Sequence, residues 1–148
     1  MRRGGLGGWI ARGGRGALGG AGSGGEGRGG DGSAELDVLR RSILGRLIAP
    51  GDVAAIVIEP IQGEGGYVPA PTTFLKGIRA LCYEHGLLLV ADGIQSGTGR
   101  TSRWAAIHHP DIRPDRPTTA QRAPTGLPHA TCGASRPIQT WPDGPPRP

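Results

Sequence analysis

Residues 53–58 read Val-Ala-Ala-Ile-Val-Ile, and residues 87–91 read Leu-Leu-Leu-Val-Ala. Both runs are short and wholly apolar, which is typical of strands that are buried on both faces. An acidic residue follows each run directly, Glu59 after the first and Asp92 after the second. Two such strands with a helix between them predict a β-α-β unit with a parallel strand pair, and therefore an α/β fold.

The segment between the two strands has the pattern of an amphipathic helix. Its apolar stripe recurs at helical spacing and consists of Phe74, Leu75, Ile78, Leu81 and Cys82. Thr72 or Thr73 is the expected N-cap, and Gly86 is the expected stop. A second amphipathic helix is predicted before the first strand, ending at Pro50-Gly51. Its stripe consists of Leu36, Leu39, Ile43 and Leu47.

Composition divides the chain into three zones. Residues 1–34 contain 16 glycines, and we expect them to be disordered because little apolar burial offsets the entropy of ordering them. Residues 35–115 carry the α/β pattern. Residues 116–148 hold eight of the 14 prolines and show no periodicity, so we expect an irregular Pro-rich tail.

The formal net charge is +5, and Lys76 is the only lysine among the 17 basic residues. The N-terminal zone repeats Arg-Gly-Gly at residues 3–5, 12–14 and 28–30. One hypothesis for the function, as the alternative to an enzyme, is therefore a non-enzymatic, basic Arg/Gly-rich nucleic-acid-binding or interaction protein. We do not expect nucleic acid to be a partner, because that zone has only five arginines and one aromatic residue. No apolar run approaches the ~18 residues of a membrane span, and we expect a cytoplasmic protein.

Two Cys/His pairs have the three-residue spacing of metal ligands, Cys82 with His85 and His129 with Cys132. We predict no metal site, because Cys82 belongs to the apolar stripe and the second pair lies in the Pro-rich tail.

Several motifs in one register resemble class-III pyridoxal-phosphate aminotransferases, the group of 4-aminobutyrate, ornithine and acetylornithine aminotransferases. The resemblance covers residues 36–115. The motifs are Glu59-Pro60-Ile61-Gln62-Gly63-Glu64-Gly65-Gly66-Tyr67, Phe74 to Cys82, His85 to Asp92, Gln95-Ser96-Gly97 and Gly99-Arg100-Thr101. It implies a fragment of the large domain of a fold-type-I pyridoxal-phosphate transferase, with a parallel β-α-β core.

The resemblance also implies roles for individual residues. Asp92 matches the aspartate that pairs with the pyridine nitrogen of pyridoxal 5'-phosphate and keeps it protonated, so that the ring acts as an electron sink. Ile94 matches the residue that packs on one ring face, and Gln95 the residue that hydrogen-bonds the phenolic oxygen. Glu64 matches a loop glutamate on the substrate side. Position alone leaves a simpler role open for Asp92, which is to cap the following turn.

Two departures from the family pattern bear on activity. Gly93 stands where the family has a glutamate after the aspartate. Gln121 stands where the family has the lysine that holds the cofactor as a Schiff base, because Pro114-Asp115, Thr118-Thr119-Ala120 and Gly126-Leu127-Pro128 keep the register around it. A glutamine amide is neither nucleophilic nor basic, so no catalytic residue is assigned.

The resemblance implies amino-group transfer from an amino acid or ω-amino acid to a 2-oxo acid, in a family whose members form homodimers. We expect this chain to be inactive on its own, as the product of a degraded or frame-disrupted gene.

Deleting residues 1–34 separates the two hypotheses. We expect no loss of nucleic-acid affinity, measured by filter binding at low salt, because neither form should bind appreciably. Affinity that disappears with the deletion would favour the Arg/Gly-rich binding protein.

Overall fold

A computed structural model of the chain describes residues 30–63, 66–120 and 130–134. Most of the zone that is predicted to be disordered, residues 1–34, lies outside these ranges. The helices are α1 (Ser33–Val38), a π-helical segment that continues it (Leu39–Leu47) and α2 (Thr72–His85), with 3-10 turns at Pro50–Asp52 and Ala106–His108. The strands are β1 (Ala55–Ile58), β2 (Ile61–Gln62), β3 (Val68–Pro69), β4 (Leu88–Asp92), β5 (Arg116–Ala120) and β6 (Ala130–Cys132). None of the described helices is long and apolar enough to cross a bilayer.

Four of the strands form one sheet in the order β1-β4-β5-β6. The pairs β1/β4 and β4/β5 are parallel, and β5/β6 is antiparallel. Strands β2 and β3 form a separate small hairpin. The predicted α/β fold and the parallel pair are confirmed. Because β1, β4 and β5 run in the same direction, their carboxyl ends meet at one edge of the sheet, where ligands of such sheets bind.

Helix α2 covers the sheet with the stripe that its spacing predicts, because all five stripe residues are buried. Gly86 ends the helix in the left-handed conformation at φ 67°, as predicted, and Leu87 then donates to the Cys82 carbonyl at 2.8 Å. The predicted threonine cap is wrong. Pro71 occupies the N-cap position and no side chain caps the helix. Proline already has the φ angle that the start of a helix requires.

The first helix differs from its predicted stripe. Leu39 and Leu44 are buried, whereas Leu47 is 76% exposed. The cause is the π-helical winding of Leu39–Leu47, in which each turn takes more residues than an α-turn. Leu44 therefore packs in the core five residues after Leu39, and Ile48 joins the core at its edge.

The structure also corrects the predicted boundary at residue 115. Residues 116–120 form β5 inside the sheet, and residues 130–132 pair with it as β6. Pro117 lies within β5 opposite Ala91, and its carbonyl accepts the Gly133 N–H at 2.9 Å. The irregular tail is therefore a wrong prediction for these two stretches. Residues 121–129 and 135–148 lie outside the described ranges.

Asp115 anchors the start of β5 to the rest of the fold. Its Oδ2 accepts the Leu89 N–H at 2.7 Å and an Arg79 Nη1 hydrogen at 2.6 Å, and its own N–H donates to the Leu89 carbonyl at 2.9 Å. The Arg79 side chain is only 10% exposed, and its guanidinium lies 3.8 Å from the centre of the Tyr83 ring. One carboxylate thus joins helix α2, strand β4 and strand β5.

We expect Asp115→Asn to lower the free energy of unfolding by about 2 kcal/mol, since it removes the charge from a half-buried hydrogen-bonded ion pair. Burial raises the pKa of Asp115, but the Leu89 N–H and Arg79 outweigh it and hold that pKa below its usual value. A lowered pKa means that the charge stabilises the fold above the unfolded-state pKa, and that this is lost as the pH falls through the folded-state pKa. The difference between wild type and variant should therefore shrink in acid. Urea titrations at neutral and acidic pH, followed by circular dichroism, measure it.

The matched control is Arg40→Met. Arg40 pairs with Glu84 at 2.9 Å, but both side chains are about half exposed, at 48% and 51%. Exposed pairs contribute ~0–1 kcal/mol, so this variant should remain close to wild type. Equal losses from the two variants would show that Asp115 is not an anchor.

Candidate cofactor site at the carboxyl edge of the sheet

Asp92 is the last residue of β4 and lies at the edge where the parallel strands end. Its Oδ1 accepts two hydrogen bonds, from the Ile94 N–H at 3.0 Å and from the Thr118 hydroxyl at 3.1 Å. The first bond is the turn-capping role that the position of Asp92 left open. Within the described residues no donor reaches Oδ2. Two donors, one from the turn after β4 and one from β5, thus hold Oδ1 of this carboxylate.

Gln95 lies where the loop after β4 meets the loop after β2. Its side chain packs so closely on Gly63 that a Cβ at position 63 would lie 2.9 Å from the Gln95 Cγ and Cδ. The Gly63 N–H donates to Glu59 Oε2 at 2.9 Å. Glu59, the acid after the first strand, therefore organises this loop, and the glycine lets Gln95 approach it.

The turn that carries Ile94 and Gln95 is tightly closed. The Gly97 N–H donates to the Gly93 carbonyl at 2.7 Å, and the Gly93 N–H donates to the Thr118 carbonyl at 2.9 Å. A Cβ at position 93 would lie 2.9 Å from that Thr118 oxygen. The glycine at 93 therefore fits the close approach of β5.

The structure brings together three of the predicted site residues, Asp92, Ile94 and Gln95, on one strand end and the turn that follows it. Glu64 and Gln121 lie outside the described residues. Glu64 follows Gly63 in the sequence, and Gln121 follows Ala120, the last residue of β5.

Thr118 is the residue of this edge that the sequence interpretation missed. It lies on β5 opposite Asp92 and donates to it, but residues 116–148 were expected to be irregular. The sequence did contain a signal for Thr118, because Thr118-Thr119-Ala120 is part of the stretch whose resemblance to the family sets the register at position 121.

Cys82, one of the cysteines with a histidine three residues away, lies inside the core. It is fully buried in the stripe of α2, and burial raises the pKa of its thiol to about 11. Among the described residues no group of three or more His, Cys, Asp or Glu side chains has metal-binding geometry, and His129 lies outside them.

Solved structures of transaminases share this fold. A transaminase from the marine bacterium Virgibacillus superposes with a TM-score of 0.66 and 33% identity, over 72% of this chain and 24% of that chain. An (S)-enantioselective omega-transaminase from Thermomicrobium roseum gives a TM-score of 0.67 and 29% identity, over 74% and 25%. The sheet and its carboxyl edge are therefore those of a transaminase fold.

Sequence comparison gives the family. Residues 34–144 match the model of aminotransferase class-III, and the chain belongs to that family. It is 48% identical over 85 residues to a 5-aminovalerate aminotransferase of Pseudomonas putida, covering 57% of this chain and 20% of that protein. It is 49% identical over 86 residues to an acetylornithine aminotransferase of Corynebacterium efficiens, covering 58% and 21%. The chain thus spans about a fifth of the length of these curated relatives.

We expect Gly97→Ala to destabilise the turn that follows β4. A Cβ at position 97 would lie 2.5 Å from the Gly93 carbonyl oxygen, so the turn must open, at a cost of about 2 kcal/mol. Gly51→Ala is the control, because a Cβ there meets nothing within 4 Å. Urea titrations of both variants measure the difference. A Gly97→Ala protein as stable as Gly51→Ala would contradict the tight turn.

Proposed function

We propose that the edge formed by the ends of β4 and β5 is a pyridoxal 5'-phosphate site of the transaminase type. The observation that carries the proposal is the state of the Asp92 carboxylate, whose Oδ1 is held by two donors while Oδ2 has none among the described residues. A fixed anion with one available oxygen fits a protonated ring nitrogen. The family and the fold make this cofactor the expected one.

The side chains around Asp92 suit the rest of the ring. Ile94 offers an aliphatic surface for one ring face, and Gln95 offers an amide for the phenolic oxygen. Both follow Asp92 on the same closed turn. Pyridoxal phosphate, when bound, supplies an electron sink for the charge that develops on an amino substrate. The role of Asp92 is to keep the proton on the ring nitrogen, because its negative charge favours the cationic form of the ring.

The substrates that we propose are those of the family, an amino acid or ω-amino acid as donor and a 2-oxo acid as acceptor. Glu64 is assigned to the substrate side, as the resemblance to the family implies. The proposal also includes self-association as a homodimer and a cytoplasmic location. Both rest on the resemblance to the family.

We propose further that the chain does not transaminate on its own. Gln121 stands at the position of the cofactor-binding lysine, and its amide can neither form the covalent bond nor accept and return a proton. Lys76 does not replace it, because it lies on the exposed face of α2. The remaining function is to hold the cofactor without covalent attachment.

Gln121→Lys tests the site directly. Wild type is mixed with pyridoxal phosphate, treated with borohydride and digested, and adducts are located by mass spectrometry. We expect no stoichiometric adduct in wild type and a stoichiometric adduct at position 121 in the variant, because lysine supplies the nucleophilic amine that glutamine lacks.

Two further variants make the result specific. Lys76→Arg removes the native lysine and should leave the adduct of Gln121→Lys unchanged. Adding Asp92→Asn to Gln121→Lys should reduce it at least about tenfold at limiting cofactor, since a hydrogen bond to a charged group contributes ~1.5–3 kcal/mol. A stoichiometric adduct on Lys76, or an adduct at position 121 that is insensitive to Asp92→Asn, would refute the proposed site.

A further inference from the structure

Thr118 forms hydrogen bonds with Asp92 and Gly93, the first two residues of the turn that begins at the end of β4. Its hydroxyl donates to Asp92 Oδ1 at 3.1 Å, and its carbonyl accepts the Gly93 N–H at 2.9 Å. Asp92 and Thr118 are register partners across the parallel strands, so their side chains leave the same face of the sheet. Threonine is β-branched and stiff at χ1, and its hydroxyl is therefore a fixed donor to that carboxylate.

The two donors to Oδ1 differ in what they control. The Ile94 N–H belongs to the same turn as Asp92 and moves with it, whereas Thr118 belongs to a separate strand. The terminal torsion of an aspartate is broad and roughly two-fold, so one local donor leaves the carboxylate plane free to turn. The second donor, from β5, fixes the plane and hence the direction of Oδ2.

We propose that Thr118 is a positioning residue, which orients Asp92 so that Oδ2 faces the ring nitrogen of the cofactor. The inference rests on the proposed function of this edge and extends it to a residue on β5. It acts through Asp92 and needs no contact between Thr118 and the cofactor.

The chain offers a matched control on the same strand. The hydroxyl of Thr119, the next residue of β5, lies 2.6 Å from the hydroxyl of Thr131 in an exposed pair, while its Cγ2, which valine keeps, would lie 3.2 Å from a Cβ at Gly97. Thr118→Val and Thr119→Val each remove one hydroxyl and keep the β-branched shape. Thr118→Ser keeps the hydroxyl and removes only a methyl group.

The test uses the full chain and pyridoxamine 5'-phosphate, which needs no lysine for binding. A second ligand is its carbocyclic analogue, in which CH replaces the ring nitrogen. Affinities are measured by fluorescence titration, and hydrogen exchange of the Ile94 amide reports the Asp92 turn without ligand. We expect Thr118→Val to weaken pyridoxamine phosphate binding about tenfold and to leave binding of the analogue unchanged. The Ile94 amide should exchange faster in this variant.

Thr118→Ser should restore affinity to within about twofold of wild type, and Thr119→Val should match wild type. Two outcomes would overturn this inference but not the proposed function, provided that Asp92→Asn still weakens the binding of pyridoxamine phosphate alone. In the first, Thr118→Val binds both ligands as tightly as wild type does. In the second, Thr118→Val weakens the binding of both ligands equally. The proposed function fails, and this inference with it, if wild type does not prefer pyridoxamine phosphate to the analogue.

Discussion

The alignment of β5 with β4 is the constraint on which the carboxyl edge depends. It begins at Asp115, whose carboxylate accepts from Leu89 and Arg79 at the start of the strand. It continues to Thr118, which reaches Asp92 and Gly93 at the far end. A shift of β5 by one residue would turn the Thr118 side chain to the other face of the sheet. The carboxylate of Asp92 would then lose the hydrogen bond that Thr118 donates from outside its own turn.

This constraint explains the use of small residues at the edge. A Cβ at Gly93 would press on Thr118, and a Cβ at Gly97 would press on Gly93. The polar contacts and the glycines therefore form one arrangement, in which close backbone approach brings a hydroxyl to a carboxylate. The glycine at 93 is compatible with this packing.

The parts of the fold that depend on local pattern could be predicted from the sequence. Strands β1 and β4, the buried stripe of α2 and the stop at Gly86 follow from periodicity and glycine chemistry, and so does the position of Asp92 at a strand end. Strand β5 could not be read in this way, because Pro117 and the threonines lack an apolar run and the strand is held by pairing with β4. The burial of Leu44 in place of Leu47 depends on π-helical winding, which a fixed α-helical period cannot anticipate.

The contact between Gly63 and Gln95 has a mechanical consequence. The two loops meet with no spare volume, since a single added carbon would overlap the glutamine side chain. Displacement of Gln95 toward Gly63 would push directly on the backbone whose Gly63 N–H is bonded to Glu59 Oε2. A movement of the loop after β4 would therefore be passed to the loop after β2 by direct steric contact.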